Sequence, residues 1–169
     1  MVEEVKHSVM FIANKFPDTR GIYVCGHSAG GQLAAMLLTV DWTQYDLLQN
    51  IIKGLLLVSG VFDLQPIVKT YVNEPLNLDE AEAIRLSPLC HIKEACLHSK
   101  HCKVIVSVGE HDSPSFRTQS REYAKLLKDV GFDIKFKEVE DKDHYNVVHD
   151  LVYDNYSLTQ DFLKLVNSR

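Results

Sequence analysis

The chain of 169 residues has little of what marks the special classes of protein. It holds four cysteines, five prolines, eight glycines and one tryptophan. Four thiols in a chain of this length, with no secretion signal, read as reduced cysteines rather than a disulfide framework. Residues 1–16 carry two acids and two lysines and no small-residue cleavage site, so they read as neither a signal nor a transit peptide. No apolar run approaches the roughly 18 residues of a membrane-crossing helix, and no membrane partner is expected. Positive charge is also scarce: 23 Asp and Glu outnumber 18 Lys and Arg, for a net charge of −5. Without a basic stripe to follow phosphates, nucleic acid is excluded as a main partner. Repeats, low-complexity stretches and linkers are missing too. One domain is expected, in the cytoplasm by default, with the nucleus also open to it.

What is present is a core: 46% of the residues are hydrophobic, and a chain of this size can bury roughly two-thirds of its unfolded surface. Val2, Val5, Val9, Ile12 and Phe16 step by three and four, which predicts a helix with one apolar stripe. Apolar runs rich in strand formers follow at 21–26, 54–60, 103–109 and 134–139; the last alternates in character, as an edge strand does. Helical patterns lie between and after them, at 28–40, 115–130 and 158–166, and Asn77 with Glu80 reads as the cap of another that ends before Pro88. Residues 90–102 read as a loop. The order predicts an α/β fold with a mainly parallel sheet.

The chemistry begins at Gly26-His27-Ser28-Ala29-Gly30, which matches G-x-S-x-G where a strand ends and a helix starts. A sharp turn there strains the serine backbone and lifts its Oγ above the sheet. The two glycines are expected to be required by close approach of strand and helix. Ala29 N–H, at the helix start, would face a developing oxyanion. The alternative is an ordinary Gly-rich turn.

A nucleophilic serine needs a base, and the base an acid to orient it; on this fold the chain order is serine, acid, histidine. Asp112 follows the third strand and is the expected acid, with Asp63 as rival, although capping the next turn suits Asp63 better. His144 follows the fourth strand and is the expected base, with His149 as rival. Cys90, His91, Cys96, His98, His101 and Cys102 hold enough ligands for zinc, but five residues separate successive cysteines where structural sites use two to four. No metal is expected, and Cys25, inside the first strand, reads as a small buried residue.

These residues resemble the kynurenine formamidases (arylformamidases) of the α/β-hydrolase superfamily. The likeness runs through Gly21–Gly30, Leu57-Val58-Ser59-Gly60-Val61-Phe62-Asp63-Leu64, Gly109-Glu110-His111-Asp112-Ser113-Pro114 and Asp143-His144. It implies a three-layer α/β-hydrolase fold and hydrolysis of N-formyl-L-kynurenine to L-kynurenine and formate. Ser28, Asp112 and His144 would form the triad, Ala29 N–H would serve the oxyanion, and no cofactor would be needed. The implied partner is a small-molecule substrate, with a homodimer open to the intact protein. The chain departs from the family in lacking its H-G-G-x-W segment, which supplies further oxyanion donors; Trp42 lies after the nucleophile. It therefore reads as the C-terminal half of such an enzyme, with about four strands, expected to be oligomeric or poorly soluble alone and to turn over little. A general carboxylesterase and a non-catalytic fragment that acts by binding are the competing readings.

Overall fold

The apolar runs become parallel strands in the computed structural model, which describes residues 1–167. They are β1 (Ile22–His27), β2 (Ile52–Val58), β3 (Lys103–Gly109) and β4 (Asp133–Val139), hydrogen-bonded in the order β1-β2-β3-β4. The helices are α1 (Val2–Lys15), α2 (Ala29–Met36), α3 (Glu80–Leu86), α4 (Ile92–Ser99), α5 (Pro114–Asp129), α6 (Asn146–His149) and α7 (Ser157–Asn167). None is long and apolar enough to cross a membrane.

Side chains alternate across a strand, so each central strand feeds two cores. Leu55 and Leu57 of β2 join Leu37, Leu38, Trp42, Phe62, Tyr123 and Leu127 on one side. Leu56 and Val58 join Ile105, Leu158 and Leu165 of α7 on the other. Helices thus cover both faces, and the residues from Leu55 to Val58 are fully buried. In register, Gly26 pairs with Leu57, Leu57 with Val106, and Val106 with Phe136, so the carboxyl ends of all four strands fall together. That rim is where an open parallel sheet places its ligands.

Several details differ from the sequence reading. On α1 the buried residues are Val9 and Ala13, while Ile12 is 40% exposed and Phe16, just past the helix end, 55%; the stripe is rotated toward Ala13, where α1 packs on α2. The cap of α3 is Asp79, whose Oδ1 accepts from Glu82 N–H at 2.7 Å, and Asn77 instead takes a left-handed backbone. Residues 92–99 form a helix rather than a loop. Cys25 is exposed, not buried. It shares a face with Tyr23 and His27, and on that face Leu165 of α7 sits over Gly54 beside Tyr23, leaving Cys25 uncovered.

Candidate active site

The turn from β1 into α2 is tight. A Cβ on Gly26 would lie 2.2 Å from the Gly30 carbonyl oxygen, so no other residue fits there. The sequence reading gave the same reason for Gly30, and here it fails: nothing lies within 4 Å of a Cβ built on Gly30. The crowded helix position is Gly31, whose Cβ would come 2.9 Å from the Cα of Gly60. Between them Ser28 has φ 55° and ψ −121°. Such a backbone costs about 1–3 kcal/mol outside glycine and persists only when its surroundings fix it. Ser28 N–H donates to Val58 O at 3.0 Å, and Ser28 O accepts from Gly31 and Gln32 N–H at 3.0 and 3.2 Å. Ala29 is the first residue of α2, so its N–H is among those a helix leaves without an internal acceptor.

Asp112 sits just past β3 and is 6% exposed. Its Oδ1 accepts from Ser113 N–H at 2.8 Å, while Ser113 Oγ caps α5. The loop after β4 brings His144 to it. That loop turns at Asp141 (φ 55°), whose N–H donates to Glu110 at 3.0 Å, and Lys142 O accepts from His111 N–H at 2.8 Å. Asp143 then accepts from the N–H groups of Asn146 and Tyr145, which hold its carboxyl below the ordinary range.

The result joins three elements far apart in sequence. His144 Nδ1 lies 3.1 and 3.2 Å from the Asp112 oxygens, and His144 Nε2 lies 3.2 Å from Ser28 Oγ. A buried carboxylate only accepts, so the network assigns the proton to Nδ1 and leaves the Nε2 lone pair facing the serine hydroxyl. This arrangement can deprotonate the serine and stabilise the imidazolium that forms.

The rivals lie elsewhere. Asp63 Oδ1 accepts from the backbone and side chain of Gln65, a turn cap. His149 is largely exposed and faces Asp150 at 3.5 Å. In the cysteine–histidine segment, Cys90 and Cys96 flank or ride α4, whereas Cys102 is buried, which pushes its thiol up to about 12. A different trio, Glu110, His111 and Asp141, brings potential ligand atoms within 4.8 Å of one another. His111 and Asp141 are exposed, and the Glu110 carboxylate is already engaged by the Asp141 N–H.

Two neighbours of His144 escaped the sequence reading. The Phe116 ring lies 4.5 Å from the His144 ring, and that of His27 lies 4.7 Å away. His27 had a local signal, since it precedes Ser28 on the strand; Phe116 had none. Beside Ser28 opens a cavity of about 1140 Å³, lined among others by Leu33, Met36, Leu64, Tyr71, Arg85 and Phe116.

A family model described as alpha/beta hydrolase fold matches residues 5–148. The chain is 46% identical over 166 residues to the kynurenine formamidase of Danio rerio and 44% identical over 167 residues to that of Salmo salar. Each match covers 98% of this chain and 56% of the relative, so the chain spans little more than half their length. Among solved structures, a candidate thioesterase from Silicibacter sp. superposes with a TM-score of 0.77 at 25% identity, over 94% of this chain and 56% of that one. With the family match running from the first helix through the loop that carries His144, the chain belongs to the alpha/beta hydrolase fold family.

Proposed function

We propose that the chain carries the nucleophile, base and acid of a serine hydrolase that cleaves the formamide of N-formyl-L-kynurenine. One observation carries the reading: the Ser28–His144–Asp112 relay lies in a chain 46% identical to a kynurenine formamidase.

In the first half-reaction Ser28 Oγ bonds to the formyl carbon while its proton passes to His144 Nε2. Asp112 holds the imidazolium, and Ala29 N–H faces the negative oxygen of the tetrahedral intermediate. The C–N bond then breaks, and His144 returns the proton to the departing arylamine. Kynurenine leaves and a formyl ester remains on Ser28. In the second half a water gives its proton to His144 and attacks the ester. Ser28 takes that proton back as formic acid departs, and the acid gives its remaining proton to solvent to become formate. Groups of the chain and water account for every bond and proton, so the reading calls for no cofactor. The apolar wall of Leu33, Met36, Leu64 and Phe116 suits the aryl ring.

On this reading the chain acts as one hydrolase domain on a small molecule in the cytoplasm. Ala29 N–H is an oxyanion donor on this reading, and loss of such a donor costs about 10²–10³ in turnover.

The size of the cavity favours a second reading, a carboxylesterase of wider acyl range, since a formyl group needs little of that space. Hydrolysis of N-formyl-kynurenine beside its acetyl and butyryl analogues, and of aryl esters with the same acyl groups, separates the two. Preference for formyl in both series supports the formamidase. Equal or better rates with the longer acyl esters would replace it with the esterase.

A further inference from the structure

We propose that His27 is a positioning residue for His144: its Nε2–H holds the His144 carbonyl and so sets the backbone from which the proposed base reaches Ser28. The inference rests on the serine-hydrolase reading above.

His27 ends β1, one residue before Ser28, and its Nε2 lies 2.8 Å from the His144 carbonyl oxygen across 117 residues of chain. A carbonyl only accepts, so that nitrogen carries the proton and the neutral ring has its lone pair on Nδ1. The other anchors of the loop act on neighbours: His111 N–H on Lys142, Glu110 on Asp141, and Asn146 on Asp143. Among the described residues, the His144 carbonyl takes no backbone N–H, and the His27 imidazole is what satisfies it. The bond ties the nucleophile's strand directly to the loop of the base. Strand and loop then cannot drift apart without breaking it.

The ring also suits the charge that develops beside it. Half-burial lowers the His27 pKa, outweighing the bond to the His144 carbonyl, which favours the charged form. His27 is therefore kept neutral next to the place where the His144 imidazolium forms, with ring centroids 4.7 Å apart. A merely space-filling ring would need neither the proton on Nε2 nor this contact.

The test uses this chain with ¹⁵N-labelled histidine, as wild type, His27→Phe and His27→Gln. The first variant keeps a ring without the donor; the second keeps an amide N–H at a similar reach. Two readouts are followed: the side-chain ¹⁵N signals of His27 and His144, and the rate at which a fluorophosphonate modifies Ser28 over a range of probe concentrations. The expected result is an Nε2–H tautomer for His27. In His27→Phe the His144 signals should shift and maximal labelling should slow roughly 10–100-fold with little change in probe affinity, and His27→Gln should recover most of both. An Nδ1–H tautomer in the wild type overturns the inference, even if His27→Phe does not fold. So do unchanged His144 signals and labelling in His27→Phe, or equal losses in both variants. If the wild type is not labelled, or Ser28→Ala is labelled equally, the hydrolase reading fails instead, and the ¹⁵N signals still judge His27.

Discussion

Gly26 and Gly30 occupy matched places in the motif, yet the structure treats them differently. A methyl on Gly26 meets a backbone carbonyl at 2.2 Å, whereas one on Gly30 meets nothing. Gly26→Ala should destabilise the chain by about 1–3 kcal/mol or more, since backbone cannot yield as a flexible side chain does. Gly30→Ala, within α2, should be neutral or stabilise it by up to about 1 kcal/mol. Urea denaturation of the two variants checks both signs, and equal losses would contradict the account. Motif reading located Ser28, because strand, turn and helix all lie within a few residues of it. Asp112 ranked above Asp63 because Asp63, also at the rim, suits a turn cap better, and His144 above His149 because it lies in the polar loop straight after the fourth strand, whereas His149 falls later. The order of residues along a chain does not say which rings will touch. The Phe116 and His27 contacts with His144 depend on how α5 and β1 approach the last loop, and no local spacing encodes that.

Strand and helix assignments were legible where one physical signal dominated. The apolar runs of β2 and β3 are buried on both faces and allow no other reading. α4 is not legible in the sequence because Lys93, Glu94, Cys96 and His98 blur the apolar pattern, and only Ala95 and Ser99 become buried. β4 is held by charge as much as by core. Lys135 and Lys137, two apart and so on one face, both reach Asp161 of α7, at 2.6 and 2.8 Å. Arg117 and Arg121, one turn apart on α5, converge on Glu138. Burial raises the Asp161 pKa, but hydrogen bonds from Lys135 and Lys137 outweigh it and bring it below its ordinary value. A depressed carboxylate adds stability above its unfolded pKa and loses it as pH falls through the folded one. Asp161→Asn should therefore cost about 1–2 kcal/mol at pH 7. The gap to wild type should close as the pH falls below about 4. Urea midpoints across that range decide the matter; a gap of constant size would show that the lysines contribute nothing through charge.

At the scale of the molecule, the two sides of the sheet are finished differently. β4 ends the sheet with lysines on its face, a common guard against edge-to-edge pairing. β1 bonds to β2 along one side only among the described residues, and nearby Cys25 is exposed. On α1 Phe11 is 64% exposed, and just past its end Phe16 is 55% exposed. Unpaired strand groups and exposed aromatic rings both favour association. Sedimentation velocity of this chain should show species larger than 19.2 kDa that grow with concentration, and Phe11→Lys with Phe16→Lys should shift them toward monomer. A monomer at all concentrations would contradict this. The central claim, that Ser28 is a nucleophile armed by His144 and Asp112, is tested most directly by peptide mass spectrometry after fluorophosphonate treatment. The account predicts a single adduct on Ser28, lost in Ser28→Ala and slowed by orders of magnitude in His144→Ala. An adduct on another residue, or labelling that persists in Ser28→Ala, would contradict it.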